Sequence, residues 1–151
     1  FKTNLPEFST MITLIDKKGD EVSTLSSVIS FPVSGDLFYA EKGKGTYVLK
    51  STTPGSRRLR ITSKTDLNLA KAVCDEINFS KCQKFTQSLR VYGSFTYSLS
   101  TLLLGKFETL IYQDYPLMQL GAKLMVNEAG GAVKYSNNTF FASNLTLLEK
   151  I

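Results

Sequence analysis

The chain has 151 residues, of which 42% are hydrophobic and 21% charged, so it can bury a packed core and is not expected to be disordered. It contains no histidine, which excludes a Ser-His-Asp or Cys-His catalytic centre and any histidine-based metal site. The net charge of +5 is mild, and no apolar run is long enough to span a bilayer. Any catalysis must use carboxylates, lysines, hydroxyls or a metal bound by oxygen.

The two cysteines, Cys74 and Cys82, form no CxxC unit, and without histidine they provide too few ligands for zinc. We expect two reduced, partly buried thiols in a cytoplasmic protein. The sequence opens with Phe1 and not with Met or a secretory signal, so we also expect residues to be missing upstream.

The first part of the chain is predicted to be a β meander. Loosely alternating or β-rich segments predict strands at residues 8–15, 22–33, 37–40 and 46–49, with turns between them. The segment Ser-Thr-Thr-Pro-Gly-Ser at 51–56 is the strongest loop signal and predicts a boundary. We therefore predict a β-meander subdomain at 1–56 and a C-terminal α/β subdomain at 57–151.

The second part alternates strands and helices, which predicts a mixed sheet covered by helices. Strands are predicted at 59–62, 69–74, 108–112, 132–135 and 140–142, and helices at 79–87, 94–104, 116–128 and 145–151. Ser94 can cap the second helix, Gly105 can end it, and Pro116 suits the first turn of the third. Gly130 and Gly131 are predicted to form a helix-to-strand turn with positive φ.

Several basic residues lie close together in the sequence: Lys42, Lys44, Arg57, Arg58, Arg60 and Lys64. We favour a solvated basic face as their interpretation. The alternative is a surface that attracts phosphate-bearing partners, small or polymeric.

Five short segments match, in order, segments of the inositol monophosphatase family. They are F-x-x-x-L-P-x-F at 1–8, L-F-Y-A-E-K-G-K-G at 37–45, R-V-Y-G-S at 90–94, E-A-G-G at 128–131 and A-S-N at 142–144. One such match is weak, but five in order over nearly the whole chain are specific. The chain resembles this family and, within it, the bacterial extragenic-suppressor (SuhB-type) branch.

The resemblance implies a layered α/β fold similar to that of fructose-bisphosphatase, here N-terminally truncated. It also implies Mg²⁺-dependent hydrolysis of inositol or sugar phosphate monoesters, with acidic ligands from an early Glu, a D-P-[IL]-D-G-T segment and a P-W-D. The first two would precede Phe1, and the aspartate of the third corresponds to Met118. Because a thioether cannot replace a carboxylate for Mg²⁺, we expect neither a metal site nor catalytic residues in this chain.

The resemblance further implies a substrate site at Gly93, Ser94 and Phe95, together with Gln113, which stands where an acidic residue usually follows the strand's tyrosine. An ordinary capped helix start explains Gly93 to Phe95 equally well, because capping and ligand binding use the same geometry. Met118 is predicted to be a core residue, on one helix face with Gly121, Ala122 and Met125. An alternative metal site at Asp75, Glu76 and Asp114 is disfavoured, because adjacent acids usually point apart.

Three functions stay open at this stage. The chain is a degenerate phosphatase that keeps the scaffold, or an active one whose upstream acids are encoded before Phe1, or a binding protein that acts with RNA or transcription machinery, as the SuhB-type branch implies. The expected partners are an inositol or sugar phosphate and a second copy in a homodimer, with no membrane.

Overall fold

The computed structural model describes residues 7–84, 86 and 88–151, whose strands form two five-stranded sheets. The first sheet is an antiparallel meander whose strands follow chain order. Its strands are β1 (Thr10–Lys18), β2 (Glu21–Phe31), β3 (Asp36–Glu41), β4 (Gly45–Leu49) and β5 (Ser56–Leu59). The four strands predicted first are confirmed, and β5 lies earlier than the strand predicted at 59–62 because it pairs with β4 directly after the turn at 50–55.

The second sheet is mixed, as predicted, in the order β7-β6-β8-β10-β9. It consists of β6 (Lys71–Cys74), β7 (Ser88–Val91), β8 (Thr109–Gln113), β9 (Ala132–Ser136) and β10 (Thr139–Ser143). Strand β6 runs parallel to both β7 and β8, whereas β10 runs antiparallel to β8 and β9. The strand predicted from residue 69 is shorter, because Leu67–Leu69 form a 3₁₀ turn that Asp66 caps through the N–H of Asn68.

Four helices complete the described structure: α1 (Phe79–Cys82), α2 (Phe95–Leu103), α3 (Pro116–Glu128) and α4 (Leu145–Leu148). Helix α1 is shorter than the helix predicted at 79–87, of which Phe85 and Gln87 lie outside the described residues. The predicted helix signals are confirmed: Ser94 accepts a hydrogen bond from the N–H of Tyr97, Gly105 has a φ of +72°, and Pro116 opens α3. None of these helices combines the length and the apolar character needed to cross a membrane.

Helix α3 lies between the two sheets, since it contacts β1 to β4 on one side and β9 and β10 on the other. One buried cluster joins side chains from both sheets with those of α2 and α3, including Ile29, Phe38, Leu102, Met125 and Phe140. Strand β5, which begins at Ser56, completes the first sheet. The division of the chain after residue 56 stays a prediction.

The approach of α3 to the first sheet is close because Gly121 faces β1 and β2. A Cβ atom at this position would collide with Oγ1 of Thr13, Oγ of Ser27 and Cε of Met11. Thr13 and Ser27 hydrogen-bond to each other below the helix at 3.0 Å. Glycine therefore sets the depth at which the helix lies on the sheet.

The C-terminal end of α3 is bound to the β3–β4 turn through Glu128. Its carboxylate accepts hydrogen bonds from the N–H groups of Gly43 and Gly45, at 2.7 and 2.8 Å. The two glycines have φ values of +76° and +96°, which favour residues without a Cβ. The E-A-G-G and K-G-K-G segments are thus two halves of one structural contact.

The two glycines that follow Glu128 have different roles. Gly130 has a φ of +78°, which confirms the predicted turn. Gly131 instead permits a close approach, because a Cβ there would lie 2.8 Å from side-chain carbons of Ile61 and Val126.

We predict that Gly121→Ala lowers the free energy of unfolding by about 1–2 kcal/mol, because a cost of about 2–3 kcal/mol for overpacking outweighs the gain of about 1 kcal/mol in helix propensity. Urea unfolding followed by circular dichroism measures the change. Gly93→Ala is the matched control, since a Cβ there meets nothing within 4 Å. An equal effect of both substitutions would show that the Gly121 contact does not set the helix depth.

Candidate functional site

The N-termini of α2 and α3 meet beside the end of β8. The ring of Phe95, in the first turn of α2, contacts the rings of Tyr112 on β8 and Tyr115 at the start of α3, with centroid distances of 5.5 and 6.1 Å. We call the surface around Gly93, Ser94, Tyr115 and Met118 the helix-terminus site. The first N–H groups of a helix lack partners within the helix and carry partial positive charge, so two such ends favour an anion.

Tyr112 fixes the start of α2 against β8. Its hydroxyl donates a hydrogen bond to the carbonyl oxygen of Tyr92 at 2.5 Å and lies 2.6 Å from the hydroxyl oxygen of Ser98. Burial raises the pKa of Tyr112 well above its ordinary value, and the hydrogen bond with Ser98 offsets part of this rise. The phenol therefore stays protonated and holds the turn that precedes Gly93.

The turn from Gly93 to Phe95 is partly open to solvent. The Ser94 hydroxyl accepts from the N–H of Tyr97 at 3.3 Å and donates to the carbonyl oxygen of Glu7 at 3.1 Å, so its hydrogen bonds are made within the chain. Gly93 is exposed and has open space around it. The role of Gly93, Ser94 and Phe95 in substrate binding stays a prediction, and capping is the function that their contacts display.

Gln113, the fourth predicted site residue, ends β8 and is held toward β6. Its backbone N–H donates to Oδ2 of Asp75 at 2.5 Å. The other oxygen of Asp75 accepts from the backbone N–H and the side-chain amide of Asn78, at 2.9 and 2.8 Å. The buried carboxylate of Asp75 thus organises the strand ends next to the helix-terminus site, a role that sequence reasoning missed because its three donors lie on two separate elements.

Met118 does not belong to the core, and its prediction as a core residue is wrong. Its side chain is 38% exposed, and Leu117 before it is 94% exposed. Gly121, Ala122 and Met125 are buried as predicted. The physical reason is that α3 meets the first sheet only from its second turn, at Gly121, so its first turn lies outside the packed region.

The acidic side chains around this site do not fit a magnesium ion, which prefers about six oxygen ligands in octahedral geometry. Both oxygens of Asp75 already accept hydrogen bonds, and Met118 offers sulfur. Asp114 has one buried oxygen, Oδ1, without a hydrogen-bond partner in the described part of the chain. Within that part no three acidic or cysteine side chains lie close enough together to hold an ion.

Asp114 also influences a neighbouring phenol. Burial and, second, the negative charge of Asp114 raise the pKa of Tyr135 to about 12. Asp114 alone therefore does not provide the set of about six oxygen ligands that Mg²⁺ prefers.

Comparison with known proteins identifies the fold. No family model matches the sequence, and no curated protein matches it either. Among solved structures, the extragenic suppressor protein SuhB from Bartonella henselae superposes with a TM-score of 0.79 at 22% identity, covering 96% of this chain and 62% of that chain. An inositol monophosphatase from Zymomonas mobilis gives a TM-score of 0.78 at 17% identity, covering 96% and 61%.

A third structure, the inositol monophosphatase (IMPase) from Thermotoga maritima, gives a TM-score of 0.75 at 21% identity, covering 97% of this chain and 59% of that chain. The chain therefore spans about three-fifths of the length of these proteins. The predicted layered α/β class is confirmed, and the chain has the fold of the inositol monophosphatase and SuhB structures.

Proposed function

We propose that this chain is an inositol-monophosphatase-like protein that binds phosphate esters at the helix-terminus site without Mg²⁺-dependent hydrolysis. The observation that carries the proposal is the exposed Met118 in the first turn of α3. The position lies in the first turn of α3 and carries a thioether where the resemblance calls for a carboxylate. We place the protein in the cytoplasm, where the buried thiols of Cys74 and Cys82 stay reduced.

Phosphate binding is supported by the electrostatics of the two helix ends. Neither α2 nor α3 has an acidic residue in its first turn, and Asp114, two residues before α3, is the acid next to these N-termini along the chain. The partial positive charge of the first N–H groups favours an anion. Gly93 leaves open space next to the start of α2. An inositol or sugar phosphate is the ligand that this arrangement and the fold favour.

We predict that Gly93→Asp weakens binding of myo-inositol 1-phosphate by at least about tenfold, because a carboxylate beside two helix N-termini repels the ligand. Isothermal titration calorimetry without Mg²⁺ measures the affinity. Gly93→Asn has the same size without the charge and should bind nearly as the wild type does. Equal affinities for Asp and Asn would place the phosphate elsewhere.

We also predict that the full-length protein releases no more phosphate from myo-inositol 1-phosphate with Mg²⁺ than without it, since sulfur at residue 118 cannot complete an oxygen ligand set. Phosphate release is measured colorimetrically over a range of Mg²⁺ concentrations. If phosphate release requires Mg²⁺ and is lost when acidic residues upstream of Phe1 are substituted, the proposal is contradicted and the protein is an active phosphatase.

A second candidate function, binding of single-stranded RNA, rests on a basic edge of the first sheet. Arg57 and Arg58 are exposed on the edge strand β5, and neither forms an ion pair within the described residues. Arg58 lies opposite Tyr47, whose ring stacks on that of Tyr39 at 5.5 Å. Aromatic rings beside arginines are typical of surfaces that bind single strands.

The three lysines of the basic group contribute less to this surface, whereas Arg60, directly after β5, is also exposed. Lys44 pairs with Glu41 at 2.5 Å, and Lys64 pairs with the buried Glu108 at 2.9 Å. Lys42 donates to the hydroxyl of Ser23. The basic edge is thus narrower than the sequence cluster suggests.

We predict that the double substitution Arg57→Ala and Arg58→Ala makes the slope of log K against log salt concentration shallower by about 1.4 for RNA binding. Each phosphate contact with a single strand contributes about 0.7 to this slope, and two contacts are lost. Fluorescence anisotropy with a labelled single-stranded RNA measures it. Lys17→Ala with Lys18→Ala removes the same charge at the opposite edge strand, β1, and should leave the slope unchanged. Absence of binding by the wild type at low salt would remove this candidate.

A further inference from the structure

A cavity of about 210 Å³ lies along α2, from Tyr97 in its first turn to Lys106 beyond its C-terminal end. It is formed by the last turns of α2, the β2–β3 turn and Lys50, which follows β4. We call this space the α2 cavity, and its volume suits a ligand smaller than the drug-sized molecules that fill pockets of about 300–1,000 Å³.

Aromatic rings line one side of the α2 cavity. Phe31 and Phe38 are buried and meet edge to face at 5.7 Å, and Phe31 meets Tyr97 in the same way at 6.3 Å. Rings held by such contacts have little freedom to move. They provide a fixed apolar surface for the C–H groups of a small ring or chain.

Buried hydroxyl groups line the α2 side of the cavity. Ser100 and Thr101 are each only 4% exposed, and their hydroxyls donate to the carbonyl oxygens of Tyr97 and Ser98, both at 2.7 Å. Because each hydroxyl donates its proton to the helix, its oxygen still offers lone pairs to a ligand. A ligand that meets these oxygens must therefore donate hydrogen bonds.

The β2–β3 turn is held in place and presents Asp36 to the cavity. Ser51 donates through its hydroxyl to the carbonyl oxygen of Ser34 at 2.6 Å, and the N–H of Asp36 donates to the hydroxyl of Ser34 at 3.3 Å. Oδ1 of Asp36 accepts from the N–H of Ser51 at 3.4 Å, which leaves Oδ2 for a ligand. A carboxylate next to hydroxyl acceptors suits the hydroxyl groups of a sugar or polyol.

Two lysines give the cavity its charge. Lys50 and Lys106 both line it, and in the described part of the chain the ammonium group of neither has an ion-pair or hydrogen-bond partner. With Asp36 as the single acid, the lining is net positive. The combination calls for a ligand with one anionic group in addition to its hydroxyls.

We propose that the α2 cavity binds a small sugar or polyol that carries one anionic group, a phosphate or a carboxylate. Its hydroxyls donate to Asp36, Ser100 and Thr101, its C–H surface rests on the aromatic side, and its anion lies between Lys50 and Lys106. The site is separate from the helix-terminus site and does not depend on the function proposed for that site.

The test uses the Gly93→Asp protein, so that binding at the helix-terminus site is suppressed. Glucose 6-phosphate and gluconate are titrated by calorimetry, with glucose as the neutral probe. We expect one equivalent of at least one anionic probe to bind, more than about tenfold more tightly than glucose, and the tighter of the two identifies the preferred anion.

Adding Lys50→Ala and Lys106→Ala should weaken that binding by more than about tenfold. Lys17→Ala with Lys18→Ala is the charge-matched control and should leave it unchanged. If neither anionic probe binds to Gly93→Asp, or if the control pair weakens binding as much, the inference is overturned. If the wild-type protein binds the phosphate probe and the Gly93→Asp protein does not, the phosphate binds at the helix-terminus site and not in the cavity.

Discussion

The depth at which α3 rests on the first sheet determines the position of almost everything else in this protein. Three contacts at successive turns set it: the glycine contact at Gly121, the hydrogen bond of 2.6 Å from the Thr46 hydroxyl to the carbonyl oxygen of Met125, and the clamp of Glu128 on the β3–β4 turn. Because the opposite side of α3 packs on β9 and β10, the same helix fixes the second sheet relative to the first. Packed interiors tolerate little sliding, so this arrangement also fixes where α3 begins.

This construction separates the scaffold from the chemistry of the helix-terminus site. The contacts that hold α3 start at its second turn, whereas Met118 lies in the first turn and is exposed. Residue 118 is therefore outside the buried cluster that joins the two sheets. The start of helix α2 is held in a comparable way. Tyr112 hydrogen-bonds to the turn that precedes it, and Ser94 caps its first turn. A chain of this fold can lose a ligand residue at low cost in stability.

The features that the sequence predicted well are those whose cause is local. Ser94, Gly105 and Pro116 act within one turn of their own helix. Features that depend on distant partners were not predictable. The E-A-G-G and K-G-K-G segments were recognised separately, but only the structure joins Glu128 to Gly43 across 85 residues. Met118 fits a helical core face by periodicity, and its exposure follows from where the sheet ends.

The electrostatics of the proposed site favour phosphate binding without a metal. A cluster of carboxylates repels a phosphate unless divalent cations neutralise it, so in the proposed site a thioether in place of one acid reduces the need for the cations. The two helix N-termini contribute partial positive charge at this surface, and this charge attracts an anion. Of the carboxylates close to this surface, Asp75 already accepts hydrogen bonds from Asn78 and Gln113, whereas Asp114, two residues before α3, has one oxygen without such a partner in the described part of the chain. Under the proposed function, loss of hydrolysis and retention of phosphate binding would be two consequences of the same change in charge.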